Sequence, residues 1–129
     1  MKSITHIAVP EDDAELLVMR LQKATGVAFN AHDSSYKGEY WQHKSLNGDV
    51  AEVSYNDDPM WRDGDPEEEQ FFQPEFSEFA VLVWVSGTAE FVSTVASSVT
   101  ALCSGSVIIE STAAQQGIQA DAASPRRLT

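Results

Sequence analysis

The run Phe79-Ala80-Val81-Leu82-Val83-Trp84-Val85 constrains this chain more than any other stretch, because it is apolar throughout and holds neither Gly nor Pro. A continuous apolar segment of this length suits a central strand covered on both faces, and the Ser86-Gly87-Thr88 that follows carries helix-starting residues. The segment therefore predicts a strand feeding a helix. From about Thr88 to Cys103, residues Phe91, Val92, Val95, Val99 and Leu102 recur three and four apart, which is the apolar stripe of a helix, and Gly105 ends it. Val107, Ile108 and Ile109 within Ser106 to Ser111 then predict a last strand.

The N-terminal half repeats the strand and helix order. Ile4, Ile7 and Val9 mark a first strand that Pro10 ends. Pro10 with Glu11, Asp12 and Asp13 opens a helix, since Pro fits a first turn and carboxylates there face the positive end of the dipole. Ala14, Leu17, Val18, Leu21 and Ala24 keep helical spacing, with Arg20 and Lys23 in the last turns and Gly26 as the stop. Val27 to His32 alternates weakly before a turn at Asp33-Ser34-Ser35, so a short strand fits there. Glu39 to Lys44 and Asp49 to Tyr55 flank Asn47-Gly48, a hairpin signal because both residues tolerate positive φ. Ala51, Val53 and Tyr55 are assigned to the core face of the second arm. On the first arm Glu39, Trp41 and His43 share one face and Tyr40, Gln42 and Lys44 the other.

This order predicts an α+β domain: a two-layer sandwich with a mostly antiparallel sheet and two helices packed on one face, ferredoxin-like in character. Residues 1–111 form the expected single domain, and the Ala-, Gln- and Ser-rich stretch 112–129, with Pro125-Arg126-Arg127, reads as a mobile tail.

Between about 56 and 78 the composition changes sharply. Asp57, Asp58, Asp63, Asp65, Glu67, Glu68, Glu69, Glu75 and Glu78 stand against a lone Arg62, and Pro59, Pro66 and Pro74 break regular elements. Long loops of this kind are functional or disordered, and Trp61, Phe71, Phe72 and Phe76 argue for packing rather than full disorder. The formal net charge of −12 disfavours nucleic-acid backbones and anionic membranes as partners and points to a basic protein. Closely spaced carboxylates can also enter the basic cleft of a nucleic-acid-binding protein. An EF-hand reading fails: with Gly64 as the invariant glycine, Pro59 and Trp61 fall at ligand positions and Gln70 where the bidentate Glu belongs.

Other chemistry is sparse. His6, His32 and His43 lie in separate elements without metal spacing, and one cysteine cannot complete a zinc set. Cys103 falls at a helix C-terminus, where the dipole disfavours a thiolate, so a buried apolar role is expected. No serine sits in a G-x-S-x-G elbow and no Gly-rich loop follows a strand, so neither a catalytic residue nor a cofactor is assigned. Glu39 and Glu52 are the acids on regular sheet positions, near Tyr40, Trp41 and Tyr55. A small-ligand or enzymatic site on the sheet face around Trp41, Glu52 and Tyr55 is therefore the alternative to protein binding. A single cysteine, no apolar leader and no stretch of membrane-spanning length carry the expectation of a cytoplasmic location.

Ser34-Ser35-Tyr36-Lys37-Gly38-Glu39-Tyr40-Trp41, the acidic Pro-containing loop, and the apolar run followed by Gly87-Thr88-Ala89-Glu90 together resemble small bacterial α+β proteins that are similar to immunity partners of secreted toxins. The likeness covers about residues 1–111. It implies a non-enzymatic inhibitor that neutralises a cognate basic toxin by direct binding. From the charge run, the expected partner-binding residues are Asp57, Asp58, Asp63, Asp65, Glu67, Glu68 and Glu69, with Trp61 as the anchor.

Overall fold

The computed structural model describes residues 2–113. Six strands and two helices follow one another as β1 (Ser3–Val9), α1 (Ala14–Thr25), β2 (Asn30–Ser34), β3 (Gly38–Lys44), β4 (Val50–Tyr55), β5 (Val81–Gly87), α2 (Ala89–Leu102) and β6 (Val107–Ala113). The sheet order is β2-β3-β4-β5-β1-β6, and every pairing is antiparallel. The four strands β6-β1-β5-β4, with α1 after β1 and α2 after β5, make the ferredoxin-like split βαβ arrangement. Strands β3 and β2 extend it as a meander beyond β4.

Strand parity decides which side chains the helices cover. Ile7 and Val9 of β1, Val81, Val83 and Val85 of β5, and Ala51 and Val53 of β4 are fully buried. They pack with Ala14, Leu17, Val18 and Leu21 of α1 and Val92, Val95 and Val99 of α2 in one core. Burying an aliphatic side chain of this size contributes about 1.5–3 kcal/mol, so one layer of such contacts dominates stability. Truncating Leu17 to Ala would cost about 2–5 kcal/mol through the cavity left behind.

The helix ends follow local chemistry. Asp13 Oδ1 accepts from Leu16 N at 3.1 Å, so α1 begins at Ala14, and Pro10 precedes the helix instead of opening it. Gly26 closes α1 in the left-handed conformation with its N–H on the Gln22 carbonyl. Tyr55 Oη accepts from Ala14 N at 3.2 Å, tying the end of β4 to the start of α1. Thr88 Oγ1 caps α2 through Phe91 N, and Cys103 is its C-cap.

The apolar run enters the sheet two residues later than its composition indicates, as Val81–Gly87. Its alternate residue Trp84 is 36% exposed, so the helices cover one face of the strand and the far face is only partly closed. Ala24 is exposed and lies outside the buried stripe of α1. Strand β2 runs through Asp33 and Ser34, where a turn is expected, because an edge strand with exposed side chains carries no apolar alternation. The last strand continues to Ala113, so residues 112 and 113 belong to the sheet. The expected mobile tail otherwise lies outside the described residues.

Candidate functional site

Asn56 directly follows β4 and is fully buried. Its Nδ2 donates to the carbonyls of Phe76 at 2.9 Å and Phe79 at 3.1 Å, with a longer contact to Gln73 O at 3.4 Å. Oδ1 accepts from Gln73 N at 2.8 Å. The Asn56 backbone adds two bonds, its N–H to Ala80 O and its carbonyl from Phe72 N, both 2.8 Å. One side chain thus holds both ends of the acidic segment, and a buried amide satisfied on each side is a strong positional constraint. Short 3-10 turns at Glu67–Glu69 and Pro74–Phe76 and an isolated bridge between Asp57 and Phe71 order the segment further. Asn56 precedes the acidic run without an apolar or charge signature, and only its position at a strand end could have drawn attention to it.

On this frame the candidate acids divide into two groups. Asp57, Asp63, Asp65, Glu67, Glu68 and Glu69 are exposed, and Glu67, Glu68 and Glu69 share one 3-10 turn. Asp58 is half-buried: its Oδ1 accepts from Met60 N at 2.8 Å and its carbonyl from Trp61 N at 3.1 Å. Asp65 Oδ2 accepts from Arg62 N at 2.9 Å, around the positive φ of Gly64. The Arg62 guanidinium lies against the carbonyls of Pro59, Met60 and Trp61 at 3.3–3.4 Å. Trp61 is half-buried and its Nε1 donates to Pro66 O at 3.0 Å, so part of the proposed anchor serves the loop itself. Met60 is the more exposed apolar side chain.

The sheet-face alternative does not assemble as its residues were grouped. Trp41 pairs with Val53, and Gln42 with Glu52. Period-two geometry therefore places Trp41 and Tyr55 on the helix-covered face and Glu52 on the opposite one. Trp41 is buried and meets Tyr55 edge-on with ring centroids 6.2 Å apart. The trio is split by the sheet.

The open face carries a different constellation. Glu110, His6, Trp84, Glu52 and Gln42 lie directly opposite one another across β6, β1, β5, β4 and β3. A register shift of β6 between His6 and Ile7 sets Glu110 against His6. By Trp84 lies a groove of about 370 Å³ lined by His6, Lys37, Glu52, Ser54, Leu82 and Trp84 together with Phe72 and Gln73 of the acidic loop. Lys37 pairs with Glu52 and sits 4.8 Å from the Tyr40 ring centroid. Gln42 Nε2 adds a 3.3 Å bond to Glu52 Oε1. Burial pushes the His6 imidazole below its ordinary range, with Glu110 and Glu52 opposing. His6 is accordingly neutral at pH 7, with one donor and one acceptor nitrogen. Its signal in the sequence is parity: His6 alternates against Ile7 and Val9, as Trp84 does against Val83 and Val85.

The other histidines are structural in contact. His32 stacks on Tyr40 at 5.0 Å, and His43 donates from Nδ1 to Ala28 O at 2.9 Å while stacking on Phe91 at 5.6 Å. Cys103 is buried in the core, which raises its thiol pKa, with Glu11 adding to the rise and Arg20 opposing it. Among the described residues, no group of three His, Cys, Asp or Glu side chains is placed to hold a metal ion, and no helix is long and apolar enough to cross a membrane. No protein-family model matches the chain, and a search of curated proteins gives no match.

Proposed function

We propose that this chain is a non-enzymatic binding module whose acidic segment, Asp57 to Glu69, engages a basic protein in the manner of an inhibitor or of an immunity partner for a secreted toxin. The observation that carries this reading is the clamp at Asn56, which presents exposed carboxylates on an ordered frame. Among the described residues, the ion pairs Arg20–Glu11 and Lys37–Glu52 leave the segment's acids without cationic partners. Like charges held together on a fixed frame repel, and a basic surface relieves that repulsion on binding. Exposed Met60 and the free part of Trp61 supply apolar contact beside them.

The test is a comparison of the wild-type chain with one carrying Asp63→Lys, Asp65→Lys, Glu67→Lys and Glu68→Lys. Each is used to capture basic proteins from a lysate at low and moderate salt, and any captured protein is then purified and measured pairwise. Tight binding by wild type alone, with an association rate that falls as salt rises, supports the reading. A partner bound equally by both chains removes the acidic segment from the interface.

A further inference from the structure

We propose that the open face of the sheet holds a second binding site, the groove by Trp84, and that it takes an uncharged flat heterocycle with a lactam edge, a ring N–H beside a C=O. Trp84 is 36% exposed and Phe72 41% exposed, and both line the groove. Leu82 lines it too, from the same face of β5 two residues before Trp84. Aromatic faces left open beside apolar surface favour a flat ring. The volume of about 370 Å³ falls within the range of small-molecule sites, roughly 300–1,000 Å³. The loop residues of the lining are held in place before any ligand arrives: Phe72 N donates to Asn56 O and Gln73 N to Asn56 Oδ1, each at 2.8 Å. A pre-formed site spares the ligand the entropy of ordering a loop.

Charge and hydrogen bonding narrow the occupant. The charged side chains of the lining are Lys37 and Glu52, and they pair with each other, while His6 is held neutral by burial. A charged ligand therefore meets no free counter-charge in the lining, and a desolvated charge without a partner is costly. An anion also meets the field of a chain of formal net charge −12. The neutral polar groups are open instead. Gln73 is tied to Asn56 through its backbone N–H and carbonyl, which leaves its side-chain amide to the groove. Among the described residues the His6 ring, the Ser54 hydroxyl and the Trp84 indole N–H likewise have no protein hydrogen-bond partner, and all of them belong to the lining. Together they hold donors and acceptors. A lactam edge offers one of each, and a ring without that edge leaves these groups dehydrated and unpaired, which is a strong ground for rejecting it.

The experiment is an NMR titration of the full chain with quinolin-2-one, a flat uncharged lactam. Decahydroquinolin-2-one keeps the lactam edge without the flat ring, and N-methylquinolin-2-one keeps the ring without the N–H. The charged rings of similar shape are 2-naphthoate and 2-naphthylmethylamine. Saturable shifts centred on the Trp84 indole N–H and the Gln73 side-chain amide, with all four controls at least tenfold weaker, are the expected result. Trp84→Ala is expected to weaken quinolin-2-one about tenfold or more. Ser54→Ala, which removes one hydroxyl, should weaken it several-fold and serves if Trp84→Ala loses its dispersed amide spectrum. The proposal is overturned if any control binds within tenfold of quinolin-2-one, if a variant that keeps a dispersed spectrum binds it unchanged, or if no saturable shift develops up to millimolar ligand. It is also overturned if wild type sediments as a dimer that Trp84→Ala dissolves, which would assign the face to a second copy of the chain.

Discussion

Asn56 Nδ2 donates to the Phe76 carbonyl across 2.9 Å, joining residues twenty apart in sequence. The same amide reaches Phe79 O and receives Gln73 N, so the return path of the acidic segment is fixed by hydrogen bonds in a water-free position. Aromatic packing adds to it, with Phe76 and Phe79 edge-on at 6.1 Å.

Asn56→Ala should therefore strand several backbone groups at once. An unsatisfied buried polar group costs about 1–3 kcal/mol, and partial rehydration limits the sum, so a loss of about 3 kcal/mol is expected in urea unfolding. Hydrogen exchange separates this from general destabilisation: the amides of Phe72 and Gln73 should lose protection well before those of β1 and β5.

Two glycines should answer differently to the same substitution. At Gly87, φ is +145° and an added Cβ would lie 2.2 Å from Asp49 Oδ1 and 2.9 Å from Asp49 Cα. That carboxylate also accepts from Thr88 N at 2.9 Å, so it cannot withdraw without exposing the start of α2. Gly87→Ala is expected to cost about 3 kcal/mol or more. At Gly26, φ is +76° with nothing within 4 Å of the added carbon, and Gly26→Ala should cost about 1–2 kcal/mol from backbone conformation alone. Thermal and urea midpoints of the two variants check the contrast.

His6 makes stability depend on pH. Burial holds its folded pKa below the ordinary 6.5, so the unfolded chain takes up a proton first as pH falls. Its contribution is fully present above about 6.5 and is lost as pH falls from there through the lower folded value. Urea midpoints measured downward from pH 7.5 should decline more steeply for wild type than for His6→Gln. Equal slopes would mean that His6 is not held neutral by the fold.

Much of the architecture was legible because it rests on short-range periodicity. The stripes Leu17-Val18-Leu21 and Val92-Val95-Val99 marked both helices, and Asn47-Gly48 marked the turn between β3 and β4. What failed was pairing across distance. Trp41 and Glu52 look adjacent in a hairpin, yet the register of Gln42 opposite Glu52 puts them on opposite faces. His6 and Trp84 become neighbours only when β1 pairs with β5, which no local pattern specifies. The acidic segment was visible from composition, whereas its anchoring was not, because a single Asn at a strand end resembles any other polar residue. Edge strand β2 escaped the alternation test since both of its faces meet water.

The bridge between Asp57 and Phe71 has a consequence for how such a chain can change over time. It brings the two ends of residues 58–70 side by side at the rim of the sheet, as in an Ω-loop. Insertions, deletions or wholesale replacement within that excursion leave β4, β5 and the Asn56 amide where they are. The segment is a cassette: its sequence can diversify while selection for foldability acts on the remainder of the chain.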